Sequence, residues 1–131
     1  MRKLDIGSKH FTRVVVGDNP GQGGACHNYY ISRVQQREDE SDLSIGELGY
    51  VFFQNGPVAE NGINGCHQED LLAIVIDRLR HFQAGPFACR ENALALAKIE
   101  EAMHWLNHRT ADRQAQGVEG TGKHRKIQPK Q

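Results

Sequence analysis

Residues 68–86 read QEDLLAIVIDRLRHFQAGP, and their spacing decides the fold. Leu71, Leu72, Val75, Ile76, Leu79 and Phe82 recur at steps of three and four, the period of one helix face. Glu69 and Asp70 put carboxylates in the first turn, where unpaired amide groups favour negative charge. Ala84, Gly85 and Pro86 end the segment, because glycine accepts a left-handed cap and proline cannot extend the ladder, though it can open a following helix. So short a link forces the next helix to fold back as a hairpin. That helix is predicted over residues 88–116, with Leu96, Ile99, Met103, Leu106 and Thr110 on one seam. At about 1.5 Å per residue it outruns its partner. Its last turns therefore need cover from a sheet or a second subunit, and a homo-oligomer is expected.

Upstream of the hairpin the chain reads as strands. FTRVVV at 11–16 is β-branched and short, and 17–24 is saturated with turn residues, a flexible loop. Tyr29, Tyr30, Ile31 and Val34 suit a second strand within 25–34, and the charges Arg37, Glu38, Asp39 and Glu40 mark 35–41 as a solvated loop. Tyr50, Val51, Phe52 and Phe53 make a third strand over 48–54, stopped by Asn55, Gly56 and Pro57. The expected fold class is α+β: within a single domain over 1–131, a small N-terminal antiparallel β-sheet in 1–66, a C-terminal antiparallel helical hairpin in 67–117, and a basic flexible tail in 118–131.

Sixteen Lys and Arg balance sixteen Asp and Glu, so no global field draws the chain to DNA or to an anionic membrane. Any anion site must be local. No apolar run reaches the roughly 18 residues of a membrane span, and no hydrophobic stretch follows Met1 and Arg2. Cys26, Cys66 and Cys89, odd in number and widely spaced, fit reduced, buried thiols in a cytoplasm.

Catalytic patterns are weak. Glu100, Glu101 and Asp112 read as solvated helix carboxylates, and His104 and His108, one turn apart, lack the companions of a zinc site. Cys26 beside His27 and Cys66 beside His67 have no second-ligand spacing, so neither metal nor cofactor is expected. The glycines of 17–24 precede a strand, not the helix start a phosphate loop uses. What remains is Arg109 and Arg113, four residues apart and so on one helix face, a local anion clamp unless Arg109 pairs with Asp112. Phe82 offers an aromatic face and Asn92 an amide edge, although core packing and helix capping are their ordinary roles.

The run Arg90 to Asn107, RENALALAKIEEAMHWLN, followed by Arg109, Thr110 and Arg113 and then GVEGT at 117–121, resembles the helical-hairpin family of phage anti-defence sponges. With the β segment ending FQNGP at 53–57, the chain is similar to the anti-Thoeris branch, whose sister branch counters CBASS immunity. Gly122 departs from the polar residue expected there. The resemblance implies non-catalytic capture of glycocyclic ADP-ribose, the signal made by bacterial TIR proteins, in the host bacterial cytoplasm. It implies that Phe82 stacks on the adenine, Asn92 hydrogen-bonds the ligand, and Arg109 and Arg113 contact the phosphates. Some relatives form dimers or hexamers and hold cyclic di- or trinucleotides at additional sites, to which Arg109, Thr110 and Arg113 could belong instead. The rival readings are an enzyme that cleaves the same signal and a nucleic-acid or partner adaptor using the basic tail.

Overall fold

The computed structural model describes residues 1–8, 10–36 and 42–124. The fold is α+β, as the periodicities require. The described residues form two compact units: those of Met1–Gly56 with Ile63–Cys66, and Pro57–Gly62 with those from His67 onward.

The first unit is a four-stranded antiparallel meander, β1 (Arg2–Lys3), β2 (Thr12–Val16), β3 (Asn28–Gln36) and β4 (Asp42–Phe52), in that spatial order. Three strands were expected and four are found. β1 escapes a pattern search because two residues carry no period; it exists through pairing of Arg2 with Val16 and Lys3 with Val15. β4 starts six residues before the predicted 48, and the reason lies in the ladder. Register shifts fall between Ile31 and Ser32 and between Arg33 and Val34, so alternation is broken where β4 begins. The predicted solvated loop at 35–41 gives way to strand at Gln35 and Gln36, and 37–41 lies outside the described residues.

Val14 pairs with Ile31 and Val16 with Tyr29, which in turn pairs with Val51, so β-branched and aromatic side chains share one face of the sheet. Val16, at 1% exposure, is its most buried apolar side chain. The loop after β2 is tied rather than slack. The Asp18 carboxylate accepts the amide hydrogens of His27 at 3.0 Å and of Asn28 at 3.1 Å, and a short 3-10 turn spans Gln22–Gly24. The His27 amide, opposed by desolvation and helped by that of Asn28, holds the Asp18 carboxyl below the usual carboxylate range.

The second unit contains α1 (Val58–Asn61), α2 (Gln68–Gln83) and α3 (Arg90–Ala115). α1, only four residues long, is too short to show a helical period in the sequence. α2 begins at the predicted Gln68, where the Asp70 carboxylate accepts the His67 amide hydrogen at 2.9 Å. α3 begins at Arg90, not 88, and neither Pro86 nor Asn92 starts it: the Cys89 sulfur accepts the Asn92 amide hydrogen at 3.4 Å. Cys89 is thereby exposed, and Cys26 and Cys66 are only half-buried, which corrects the expectation of buried thiols. The predicted seam of Leu96, Ile99, Met103, Leu106 and Thr110 is the sheltered side of α3. Ile76, at 7% exposure, is the one apolar helix residue among those described that is buried, and Ile74, Leu94 and Trp105 are 49–65% exposed. No helix of the described residues is long and apolar enough to cross a membrane.

Candidate functional site

At the hairpin turn, α2 and the following link assemble an aromatic and amide platform. The Phe82 ring stands edge-on to Phe87, centroids 6.2 Å apart, and the Arg78 guanidinium carbon lies 4.8 Å over the Phe82 ring. Arg78 and Phe82 are four residues apart on one helix, and this spacing permits the cation–π contact. Arg78 was not singled out from the sequence, yet its position four before Phe82 was the available signal.

Gln83 fixes the turn by two hydrogen bonds to one residue: its Oε1 accepts the Cys89 amide hydrogen at 3.0 Å and its Nε2 donates to the Cys89 carbonyl at 3.1 Å. The Cys89 sulfur then caps α3. Asn92, in the next turn, directs its Nδ2 to the Phe87 carbonyl at 3.5 Å, a contact long enough to yield to a better acceptor. Phe82 and Asn92 thus belong to one neighbourhood.

The other sequence-selected residues lie at the far end of α3. Arg109 lies seventeen positions after Asn92, which at 1.5 Å per residue is about 25 Å of helix. Within one protomer, then, Phe82 and Asn92 are not brought together with Arg109, Thr110 and Arg113. Arg109 is exposed, and Thr110 is half-buried on the seam. The two arginines differ sharply in setting. Arg113, 9% exposed, is folded into the chain that follows the helix. Its Nε donates to Glu119 at 3.1 Å, its Nη1 to the Lys123 carbonyl at 3.2 Å, and its Nη2 to the carbonyls of Val118 at 2.7 Å and Thr121 at 3.2 Å. The guanidinium fork therefore organises a turn over 118–123, and that turn reaches α1 through the Ala59 amide and the Gly120 carbonyl at 2.8 Å. Of the tail expected to be flexible, 119–120 forms a turn and 121–122 a bend, and 125–131 lies outside the described residues.

His104 and His108 set their rings edge-on to Trp105, at centroid distances of 5.3 and 5.8 Å. Glu100, read as solvated, pairs with Arg80 across the hairpin at 3.1 Å. Among the described residues no group of three His, Cys, Asp or Glu side chains is placed to hold a metal ion.

An aromatic and amide platform at the turn and guanidinium groups at the open end of two antiparallel helices define a helical-hairpin protein. The Acb2/Tad1 hairpin domain model matches residues 50–111 of this chain. Over 119 residues the chain is 59% identical to Thoeris anti-defense 1 of Bacillus phage SBSphiJ7, covering 91% of this chain and 82% of that protein. The chain belongs to this family.

Proposed function

We propose that the protein acts against Thoeris immunity as a non-catalytic sponge, binding glycocyclic ADP-ribose in the host bacterial cytoplasm and holding it unaltered. The observation that carries this reading is the 59% identity, spread over nearly the whole chain, to a protein named Thoeris anti-defense 1. The hairpin geometry supports an arrangement for it. Phe82 supplies a stacking face for adenine, Asn92 an amide for its edge, and Arg109 with Arg113 charge for the pyrophosphate. Since about 25 Å of α3 separates the two sets, a compact cyclic nucleotide is held between protomers, with the turn of one hairpin beside the open end of another. Exposed Ile74, Leu94 and Trp105 give such an assembly apolar surface to bury. Arg113 contributes by fixing the turn over 118–123 as well as by its charge.

A second capacity, for cyclic di- or trinucleotides, is favoured by the joint character of the matching domain, which spans both the Acb2 and Tad1 branches. The test is to mix purified protein with glycocyclic ADP-ribose, measure the fall in free ligand, then heat-denature the complex and identify what is released. Intact signal is expected. Cleavage products would establish an enzyme, and an unchanged free concentration would remove the proposal. Running cyclic di- and trinucleotides in parallel decides the second capacity.

A further inference from the structure

Three Asn-Gly pairs follow β4 in close succession, at 55–56, 61–62 and 64–65. The dipeptide suits tight turns. It is also open to self-modification, because a glycine amide nitrogen, with no side chain beside it, can reach the side-chain carbonyl carbon of the asparagine before it. The fold treats the three pairs differently. Asn64 is clamped at both ends of its amide: its Oδ1 accepts the Asn55 amide hydrogen and its Nδ2 donates to the Asn55 carbonyl, each at 2.8 Å. Asn61 donates its Nδ2 to the Pro57 carbonyl at 3.1 Å, and the Gly62 amide hydrogen is engaged by the Val58 carbonyl at 2.9 Å. Asn55 is held only by its main chain. Its exposed side chain and the Gly56 amide have no hydrogen-bond partner among the described residues.

We propose that Asn55 is a site of spontaneous deamidation, selected by the fold over Asn61 and Asn64, and that its conversion loosens the end of the sheet unit. The Gly56 nitrogen, having lost its proton to base, attacks Asn55 Cγ. The Cγ–Nδ2 bond breaks, the proton returns to the leaving nitrogen, and ammonia departs from a succinimide ring. Water then opens the ring at one of its two carbonyls. Opening at Cγ leaves aspartate in an unaltered chain, whereas opening at the main-chain carbonyl routes the chain through Cβ and Cγ as isoaspartate. Nothing but water and base is consumed.

The isoaspartate carries an extra methylene in its backbone, which breaks the spacing that the two 2.8 Å hydrogen bonds of the Asn55–Asn64 pair require. That pair fastens the segment before Cys66 to the end of β4, beside the bonds from the Cys66 amide to the Phe52 carbonyl and from the Gln54 amide to the Cys66 carbonyl. Gly56 at φ +83° keeps a backbone conformation that glycine adopts readily, so the pair is retained for its turn while it remains chemically labile. Asn55, Gly56, Asn64 and Cys66 all belong to the sheet unit, so the proposal is independent of the hairpin reading.

The experiment incubates the full chain at mildly alkaline pH, folded and in denaturant, and follows loss of each asparagine amide by peptide mass spectrometry. In denaturant the three pairs are expected to react alike. In the folded chain Asn55 should keep its unfolded rate, whereas Asn61 and Asn64 should slow at least about tenfold, since each must first break two hydrogen bonds. Aged protein should exchange the Asn55 and Asn64 amide hydrogens faster than fresh protein. Asn55→Asp, which carries the new charge on an unaltered backbone, should exchange them as fresh wild type does. An Asn55 slowed by folding as much as Asn61 and Asn64, or outpaced by either, overturns the site. Unaltered exchange in aged protein, or equal acceleration in Asn55→Asp, overturns the loosening by isoaspartate.

Discussion

Arg113 places its Nη2 2.7 Å from the carbonyl oxygen of Val118, five residues beyond it, and so bends the chain leaving α3 back upon the helix. A residue that reads as a surface anion clamp is thereby also the organiser of a turn. Removing it should cost about 1–3 kcal/mol of stability and release the chain after the helix. In hydrogen–deuterium exchange, Arg113→Ala should lose protection at the Val118 and Thr121 amides, which bond to the Arg113 and Val118 carbonyls. Arg109→Ala should retain that protection. Equal exchange in both variants would show that the turn stands without the guanidinium.

Arg109 and Arg113 therefore separate two effects on capture. We expect Arg109→Ala to weaken glycocyclic ADP-ribose binding by charge alone, about 1.5–3 kcal/mol, at unchanged thermal midpoint. Arg113→Ala should weaken binding and lower the midpoint together. Lysine at 113 should not restore either, because an ammonium cannot serve the several carbonyls that a planar fork reaches at once. Calorimetric titration beside thermal melts distinguishes these patterns.

For Phe82 the ring, not its volume, should matter. Stacking of a base on an aromatic side chain is worth about 1–3 kcal/mol, so Phe82→Leu should lower affinity by roughly 5- to 150-fold while preserving much of the contact with Phe87. Arg78→Ala, by removing a cation–π contact worth about 0.5–1 kcal/mol at an exposed site, should have only a small effect on stability. Undiminished affinity in Phe82→Leu, measured by titration, would place the adenine elsewhere.

Sharing of one ligand between protomers has its own signature. A chain with Phe82→Ala and Asn92→Ala and a chain with Arg109→Ala should each capture little ligand. After unfolding and joint refolding at equal amounts, half the dimers are mixed and each mixed dimer regains one complete site, about one quarter of wild-type capacity. No recovery on mixing would mean that all these residues act within a single chain or not at all.

Acid should loosen the sheet unit through Asp18. Its folded-state carboxyl is depressed by the His27 amide, so the stabilisation is complete above the ordinary carboxylate range and is lost as pH falls through the lower folded value. Wild type should lose more thermal stability than Asp18→Asn between about pH 5 and about pH 2. Parallel curves for the two proteins would assign the acid sensitivity to other groups.

How much of this was legible in the chain differs between its halves. The start of α2 at Gln68 and the sheltered seam from Leu96 to Thr110 follow from spacing, because a helix is made of contacts between residues three and four apart. β1 and the early start of β4 were not legible, since both depend on partners far along the chain and β4 meets its partner through broken registers. The candidate residues divide the same way: Phe82 and Asn92 could be selected by type, but Arg78 gained meaning only once its guanidinium was seen over the Phe82 ring.

The amino-acid order alone settles that a sheet-forming half precedes a helical hairpin, which residues line the hairpin seam, and that Arg109 and Arg113 share a nominal face. Only the tertiary structure decides that Arg113 turns inward to the carbonyls of Val118, Thr121 and Lys123 and that Arg78 lays its guanidinium over the Phe82 ring. The physical reason is range. Periodicity records neighbours within a turn, whereas the direction of a long side chain is chosen by whichever distant donors and acceptors the folded backbone brings to it.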